Sequence, residues 1–365
     1  MGERGTILIA GASGVVGNAA AEHFASLGGW DVIALSRRAP EIEGRPLRHV
    51  AVDLRDAAAT RLAMSTLGDV THVVYAALYE KPGLIPGWVE QDQMQTNLAM
   101  LQHLLEPLTE TSKQLRHVTL LQGTKAYGVH LHPMPIPARE CAPRDQHENF
   151  YWLQEDYLKS KAGERGFDWT IFRPQLIVGG VWGVAMNLAP IVGAYAAICS
   201  EEGEPFGFPG GVSFVSESVD ARVVAHAFAW AADSPLAVHE TFNITNGDVF
   251  EWRNLWPMLA KTLGVDPGPD KPVSMATYLP ARADVWDRIV EKHGLRKVPM
   301  RDLLGESHHY ADLCFAYGAQ EPFPPVFVSA VKLRQAGFTE LMDTEDMWCY
   351  WLERLMEKKL LPKAV

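Results

Sequence analysis

Two tyrosine–lysine combinations in this chain have residue types suited to acid–base chemistry. Tyr157 and Lys161 stand four residues apart in Tyr157-Leu158-Lys159-Ser160-Lys161, one turn of a helix. In such a pair the phenol polarises or protonates a substrate oxygen, while the ammonium stabilises the phenolate and holds a cofactor ribose. The spacing to the next element argues against this pair. Only 16 residues separate Tyr157 from Arg173 in Phe172-Arg173-Pro174. That leaves about four and a half helical turns and no room for a loop. Tyr151, 22 residues before Arg173, fits better. Four positions after it comes Glu155, an acid, so the cation must come from elsewhere. Lys125, in Gly123-Thr124-Lys125-Ala126-Tyr127 at the end of a strand, is the candidate. On this reading Tyr151 and Lys125 are catalytic, and Tyr157 and Lys161 are helix-surface and packing residues.

A second group of residues suits a dinucleotide. In Gly11-Ala12-Ser13-Gly14-Val15-Val16-Gly17 the glycines recur every third residue between a strand and a helix. Gly11 permits a tight turn, Gly14 a close approach of backbone to a pyrophosphate, and Gly17 close helix packing. The free N–H groups of Ser13 to Val16 and the helix dipole then face the phosphates. At the end of the second strand, where an acid would bind a ribose 2′-hydroxyl, the chain reads Ser36-Arg37-Arg38. Two guanidinium groups suit a 2′-phosphate, so NADPH is expected rather than NADH. The alternative is an exposed basic pair in a loop. Asp53-Leu54 is placed to meet the adenine, and the small Ala76-Ala77 let the dinucleotide pass. Gln122, Tyr151 and Pro174, at or beyond later strand ends, are expected along the same path.

The elements that must position these residues alternate. Apolar strands are predicted at Thr6–Ala10, Trp30–Leu35, Arg48–Leu54, His72–Ala77, Arg116–Gln122 and Trp169–Arg173. Helices are predicted at Val15–Leu27, around Leu62–Leu67, and at Gln93–Leu108 and Tyr151–Arg165. This order argues for an α/β, doubly wound parallel sheet of the Rossmann kind, covered on both faces. The second half differs, with Pro and Gly clusters at 204–211 and 266–273. Val219–Ala232 reads as a helix, Glu240–Thr245 as a strand, and helices follow near Trp252, at Val326–Phe338 and at Thr344–Lys359. The predicted division is a nucleotide-binding domain over 1–177, to which 212–247 returns. A smaller, mostly helical substrate domain comprises 178–211 and 248–365. Of its aromatics, Trp252, Trp256, Trp286, Phe315, Phe323, Phe327 and Trp348 are expected mostly in the core, with some lining an apolar substrate pocket.

Composition sets bounds. The 365 residues include 47% hydrophobic and 21% charged side chains, with a formal net charge of −11. An acidic chain of this kind carries no overall footprint for nucleic acid or an anionic membrane. Cys141, Cys199, Cys314 and Cys349 are scattered with no paired spacing. Neither a disulfide framework nor a metal site is therefore expected, and reduced thiols in a cytoplasmic protein are. Met1–Gly5 shows no leader pattern. The longest apolar stretch, Leu188–Cys199, is too short for a bilayer and reads as a buried helix.

The departures from Tyr-x-x-x-Lys, together with other local motifs, identify a resemblance over nearly the whole chain. It resembles the progesterone 5β-reductase and iridoid synthase-like enzymes (PRISE), an atypical branch of the extended short-chain dehydrogenases. The similarity rests on Gly11–Gly17, Arg37-Arg38, Gly123–Tyr127, Asn149-Phe150-Tyr151, Arg173-Pro174, Met186-Asn187-Leu188, Tyr195–Cys199, Phe208-Pro209-Gly210 and, most distinctively, Phe242–Trp252. The resemblance implies that Lys125 and Tyr151 are the catalytic pair. It implies NADPH-dependent reduction of an activated carbon–carbon double bond in a small apolar enone, with Tyr151 bonding the carbonyl oxygen. It places Ile177, Ala185 and Met186 at the nicotinamide end, and a homodimer is consistent with it. One departure concerns the substrate lid. Gly128-Val129-His130-Leu131-His132-Pro133 replaces the family's stretch after the lysine, and the loop to Tyr151 is shorter. Steroid preference is therefore left open. His130 and His132 are either substrate contacts or exposed loop residues.

Two rival readings remain on sequence grounds. One is a different reaction on the same fold, carbonyl reduction or nucleotide-sugar epimerisation. Glu155 and the apolar second half count against it. The other is a sensor or scaffold that binds NADPH without turnover, against which the presence of both Lys125 and Tyr151 counts.

Overall fold

The computed structural model describes residues 5–363 except 43, 45 and 46. The predicted absence of a leader at Met1–Arg4, and the outer ends of the predicted domains, lie outside the described residues. Seven parallel strands form the central sheet: β1 (Gly5–Ala10), β2 (Trp30–Ser36), β3 (Arg48–Ala51), β4 (Val70–Tyr75), β5 (His117–Leu121), β6 (Asp168–Pro174) and, after three short strands, β10 (Glu240–Ile244). Their order is β10-β6-β5-β4-β1-β2-β3. The chain winds outward from β1 in one direction, then returns to start again at β4. That reversal leaves a crevice at the strands' carboxyl ends, where α/β sheets bind ligands.

Four helices follow the first strands: α1 (Val15–Leu27), α2 (Ala57–Met64), α3 (Gln91–Thr111) and α4 (Phe150–Arg165). Burial on both faces explains the continuous apolar runs in β1, β2 and β4. On one face, Leu8, Val73, Val118 and Ile171 pack with Leu101, Leu105 and Leu158 of α3 and α4. The other face joins a larger core. It takes in α1, α5 (Leu188–Glu201) and α6 (Ala221–Asp233), and includes Phe172, Phe228 and Phe242. Each such fully buried aromatic or leucine contributes about 1.5–3 kcal/mol. The apolar run at Leu188–Cys199 is this buried α5, and no helix among the described residues is long and apolar enough to cross a membrane.

Three two-residue strands, β7 (Ile177–Val178), β8 (Val215–Ser216) and β9 (Val219–Asp220), edge the crevice, and β11 (Phe250–Glu251) pairs with β8. Seven further helices complete the chain: α7 (Trp252–Leu263), α8 (Met275–Tyr278), α9 (Ala283–His293), α10 (Met300–Leu304), α11 (Ser307–Cys314), α12 (Val331–Gln335) and α13 (Thr344–Glu357). Trp252, Trp256, Trp286, Phe315 and Trp348 are buried, whereas Phe323 is exposed.

Three predicted elements are corrected. The third strand ends at Ala51, because Asp53 turns the chain and Asp56 caps α2 with its carboxylate. α2 runs over Ala57–Met64, so Leu62–Leu67 is only partly helical. Val326–Phe338 is helical only over Val331–Gln335. Its first residues are extended, with Val328 bridging Ala138 and Ala138 N donating to Phe327 O at 2.8 Å.

Beneath the crevice lies a buried polar network around Glu155. Arg173 of β6 donates to Gln122 Oε1 (2.8 Å), Tyr127 Oη (3.3 Å) and Glu155 Oε2 (3.2 Å). Gln122 Nε2 donates to Glu155 Oε2 and to the Tyr151 carbonyl, both at 3.1 Å. Arg144 and Lys159 complete the carboxylate's partners at 3.1 and 2.7 Å. Tyr127 passes the chain on to Asn243 of β10 at 2.6 Å. The acid where a lysine was sought therefore ties α4 to β5 and β6. Burial raises its pKa, but the bonds from Lys159, Arg173 and Gln122 prevail and hold it below the usual carboxylate range. Glu155→Ala strands a buried guanidinium and is expected to cost about 3–5 kcal/mol in urea unfolding. In the parent chain the stabilisation by Glu155 is present at neutral pH and fades only as the pH falls through its depressed folded pKa. An unchanged midpoint in the variant would contradict this role.

Candidate active site

The glycine turn is built by steric necessity. Gly11 has φ 84°, and a Cβ there would stand 2.7 Å from the backbone of Ala76 and Ala77. A Cβ on Gly17 would stand 2.2 Å from the Gly11 carbonyl oxygen. Any side chain at either position pushes α1 off the ends of β1 and β4. A continuous cleft of about 1410 Å³ opens beside this turn. It passes the carboxyl ends of β1, β2, β4, β5 and β6 and ends between β8 and the 323–326 segment.

Most residues singled out as cofactor-binding line this cleft: Gly11, Ser13, Gly14, Val15, Val16, Ser36, Arg37, Arg38, Asp53, Leu54, Ala76, Ala77, Gln122, Tyr151, Pro174, Ile177, Ala185 and Met186. Gly17 lies behind the turn. Their side chains differ in freedom. Arg37 is exposed and has no hydrogen bond among the described residues. Arg38 stacks on Trp182 at 4.2 Å and donates to its carbonyl oxygen at 3.0 Å. Ser36 Oγ donates to the Arg38 carbonyl at 2.6 Å. The amide of Gln122 is committed to Arg173, Glu155 and Tyr151, so it braces the wall. Asp53 pairs with Arg55 at 2.6 Å, and that pairing holds its carboxyl low. Arg55 was not singled out from the sequence, although it adds a third guanidinium beside Arg37 and Arg38.

Lys125 and Tyr151 meet at the middle of the cleft. Asn149 caps α4 by accepting from Tyr151 N (3.0 Å), and its amide donates to the Lys125 carbonyl (2.9 Å). One side chain thus fixes both residues. His147 also reaches the Lys125 carbonyl (3.0 Å). The Lys125 ammonium lies 4.3 Å from the Trp88 ring centre, 6.0 Å from that of Tyr151 and 3.4 Å from Glu80 Oε1. Both charged side chains are buried, 11% and 2% exposed. Burial pushes the Lys125 amine down, while Glu80 opposes the shift. Burial pushes Glu80 up, against the pull of Lys125. Gln93 Nε2 donates to the other Glu80 oxygen at 2.5 Å. The Tyr151 phenol is raised by burial and then by Glu80, with Arg173 opposing. Its hydroxyl stays uncovered because residue 123 is glycine. A Cβ there would stand 3.1 Å from Tyr151 Oη. At neutral pH this is a protonated phenol facing the cleft, able to donate a hydrogen bond.

Tyr157 and Lys161 do not line the cleft. Both bond Glu106 of α3, at 2.8 and 2.9 Å, and tie two helices together. His130 and His132 do line it. Burial lowers His130 to about 4, so it is neutral. His132 is exposed and pairs with Asp145 at 3.1 Å. Glu80, Trp88, Gln175, Glu217 and Tyr310 also line the cleft and were missed. For Glu80 the available signal was its position just beyond the fourth strand.

Residues 53–303 match the PRISE-like Rossmann-fold domain. An (S)-8-oxocitronellyl enol synthase of Nepeta cataria is 29% identical, covering 98% of this chain and 92% of that protein. A 3-oxo-Delta(4,5)-steroid 5-beta-reductase of Arabidopsis thaliana is also 29% identical, covering 97% and 92%. Among solved structures, a UDP-glucose 4-epimerase of Bifidobacterium longum in complex with NAD+ and UDP superposes with TM-score 0.67 at 16% identity, covering 96% and 98%. One of Thermotoga maritima with UDP-glucose gives 0.66 at 17%, covering 96% and 99%. The epimerases share the fold. The matched domain, more than half of the chain, assigns the protein itself to the PRISE-like Rossmann-fold family.

Proposed function

We propose that this protein is a cytoplasmic, NADPH-dependent reductase of carbon–carbon double bonds conjugated to a carbonyl. The observation that carries the reading is the uncovered, protonated Tyr151 phenol beside the buried Lys125–Glu80 pair. The family relatives named for an enol synthase and a steroid 5β-reductase support it. The residues fit a dinucleotide. The turn at Gly11 and Gly17 has no room for a Cβ, and Arg37 is free to meet a 2′-phosphate with Arg55 close by. The segments 1–177 and 212–247 would hold this cofactor, and 178–211 with 248–365 the substrate.

NADPH, when bound, would supply a hydride to the β-carbon of the enone, and a proton from water would complete the reduction at the α-carbon. Tyr151 Oη donates a hydrogen bond to the carbonyl oxygen, and that bond strengthens as negative charge moves there. The raised phenol pKa keeps the proton on Tyr151, which makes it a polarising donor and a poor proton source. Lys125 adds positive potential, damped by Glu80. Tyr157 and Lys161, the pair an epimerase reading would use, are bound to Glu106 away from the cleft.

Four outcomes are expected. NADPH consumption should occur with cyclohexenone or progesterone and not with saturated cyclohexanone. Tyr151→Phe should lower kcat about 10²-fold or more with NADPH affinity unchanged. Turnover of the saturated ketone would mean carbonyl reduction instead, and NADPH binding with no turnover of any of them would favour a sensor. Glu80→Gln should lower the pKa of both Tyr151 and Lys125, since the negative charge that raises them is gone. Nuclear magnetic resonance titration of labelled tyrosine, with Tyr151→Phe to assign the signal, reads the shift, and a rise would contradict the arrangement. Arg37→Ala should reduce the preference for NADPH over NADH by about tenfold or more. An unchanged ratio of Michaelis constants would remove Arg37 from the cofactor site.

A further inference from the structure

Four carboxylates line the cleft, and two are paired with cations. Asp53 pairs with Arg55, and Glu80 with Lys125. Glu306 accepts from Gly83 N at 2.9 Å and lies 3.8 Å from His309. Glu217 differs. It is buried, and its one hydrogen bond among the described residues runs from Val328 N to Oε1, at 2.6 Å. The same lining includes Phe214, Val215, Ser216, Phe323 and Val326. Burial raises its pKa to about 7, with the Val328 N–H opposing. Near neutrality a substantial share of these carboxyls is therefore protonated, with an O–H to offer.

Its position is tied to the proposed reacting centre. β7 and β9 pair in parallel with Ile177 opposite Val219, and Val219 N donates to the Leu176 carbonyl at 2.9 Å. Gln175 and Glu217 each precede this pairing by two residues. Gln175 accepts from Thr124 Oγ1 at 3.2 Å, and Thr124 is the residue before Lys125. Gln175 Nε2 donates to the Val326 carbonyl at 3.0 Å. The wall that begins beside Lys125 thus continues through Gln175 and the 326–328 segment to Glu217.

We propose that Glu217 selects, among conjugated carbonyl substrates, those carrying a second uncharged oxygen, hydroxyl or carbonyl, which its Oε2 hydrogen-bonds. The proposal rests on the reading of the cleft as an enone-reducing site. A cleft wall with one buried, singly bonded acid disfavours a ligand that leaves that acid unpaired. A role confined to latching Val328 would affect stability and leave ligand preference unchanged.

The test measures binding without turnover. Medium-chain 2-alkenals with and without a terminal hydroxyl, over a series of chain lengths, are titrated against the full chain saturated with NADP+. Tryptophan fluorescence reports the dissociation constants. The parent chain should favour the hydroxylated member of the best-fitting pair by about tenfold. Glu217→Leu, which replaces the acid by an apolar side chain of similar bulk, should abolish that preference, and Glu217→Gln should keep most of it. Glu217→Asp, which withdraws the acid by one methylene, should weaken the preference severalfold and serves if the leucine variant does not fold. No preference in the parent chain at any length overturns the proposal. So does a preference that survives in Glu217→Leu, or one undiminished in Glu217→Asp where the leucine variant does not fold. Turnover of the plain alkenals with NADPH, measured separately, decides the enone reading itself, so the two failures are told apart.

Discussion

An ammonium withdrawn from water must be compensated, and in this protein that requirement organises the centre of the cleft. Lys125 is almost fully enclosed, where an unpaired charge would cost several kcal/mol. Glu80 answers it at 3.4 Å and Trp88 presents a ring face at 4.3 Å. Glu80 is itself buried and needs Gln93 for its second oxygen. The chain beyond β4, the start of α3 and the end of β5 are thereby locked together. Asn149 adds α4 by binding the Lys125 carbonyl and the Tyr151 amide at once. The tyrosine's position follows from the lysine's burial.

Placing the cation on β5's end instead of on α4 changes the chemistry available. A lysine one helical turn after a tyrosine pulls the phenol pKa down and favours full proton transfer. Here that position is Glu155, turned downward into the Arg173 network. The displaced cation, Lys125, arrives with its own carboxylate, so little net positive charge reaches Tyr151. Burial raises the phenol instead, and Glu80 adds to the shift. A phenol that holds its proton stabilises an enolate by hydrogen bonding and makes a weak acid toward an alkoxide. The electrostatics therefore favour the proposed double-bond reduction over carbonyl reduction on the same fold.

Much of this was legible in the sequence, for identifiable reasons. The glycine turn reads clearly because its constraint is local: two backbones approach too closely for a Cβ at Gly11 or Gly17. β1, β2 and β4 are continuous apolar runs because both faces of the sheet are covered. Tyr157 and Lys161 were separable from Tyr151 by chain length alone. Local pattern failed where distant contacts decide. Val326–Phe338 has a helix-like composition, but bridging to Ala138 and the bond to Glu217 draw its first residues straight. Arg48–Leu54 has strand character throughout, yet the turn at Asp53 and the cap at Asp56 end it early. Glu80 and Glu217 are acids in unremarkable surroundings in the sequence. Their burial is created by α3 in one case and by the 326–328 segment in the other.

Charge along the cleft changes in a way the net charge of −11 conceals. One end carries Arg37, Arg38 and Arg55 against a single acid, Asp53. The middle holds a neutralised lysine–glutamate pair. The rest of the lining is mostly apolar, with two acids, Glu306 and Glu217, the charge of the latter reduced by its raised pKa. A molecule that is anionic at one end and apolar along the rest is drawn to the arginine end, because only there is its charge met. With the proposed dinucleotide lying that way, the uncharged region is left to the substrate. The gradient then orients the cofactor and keeps other anions from the reacting centre, since each would have to shed water against a wall that offers no cation.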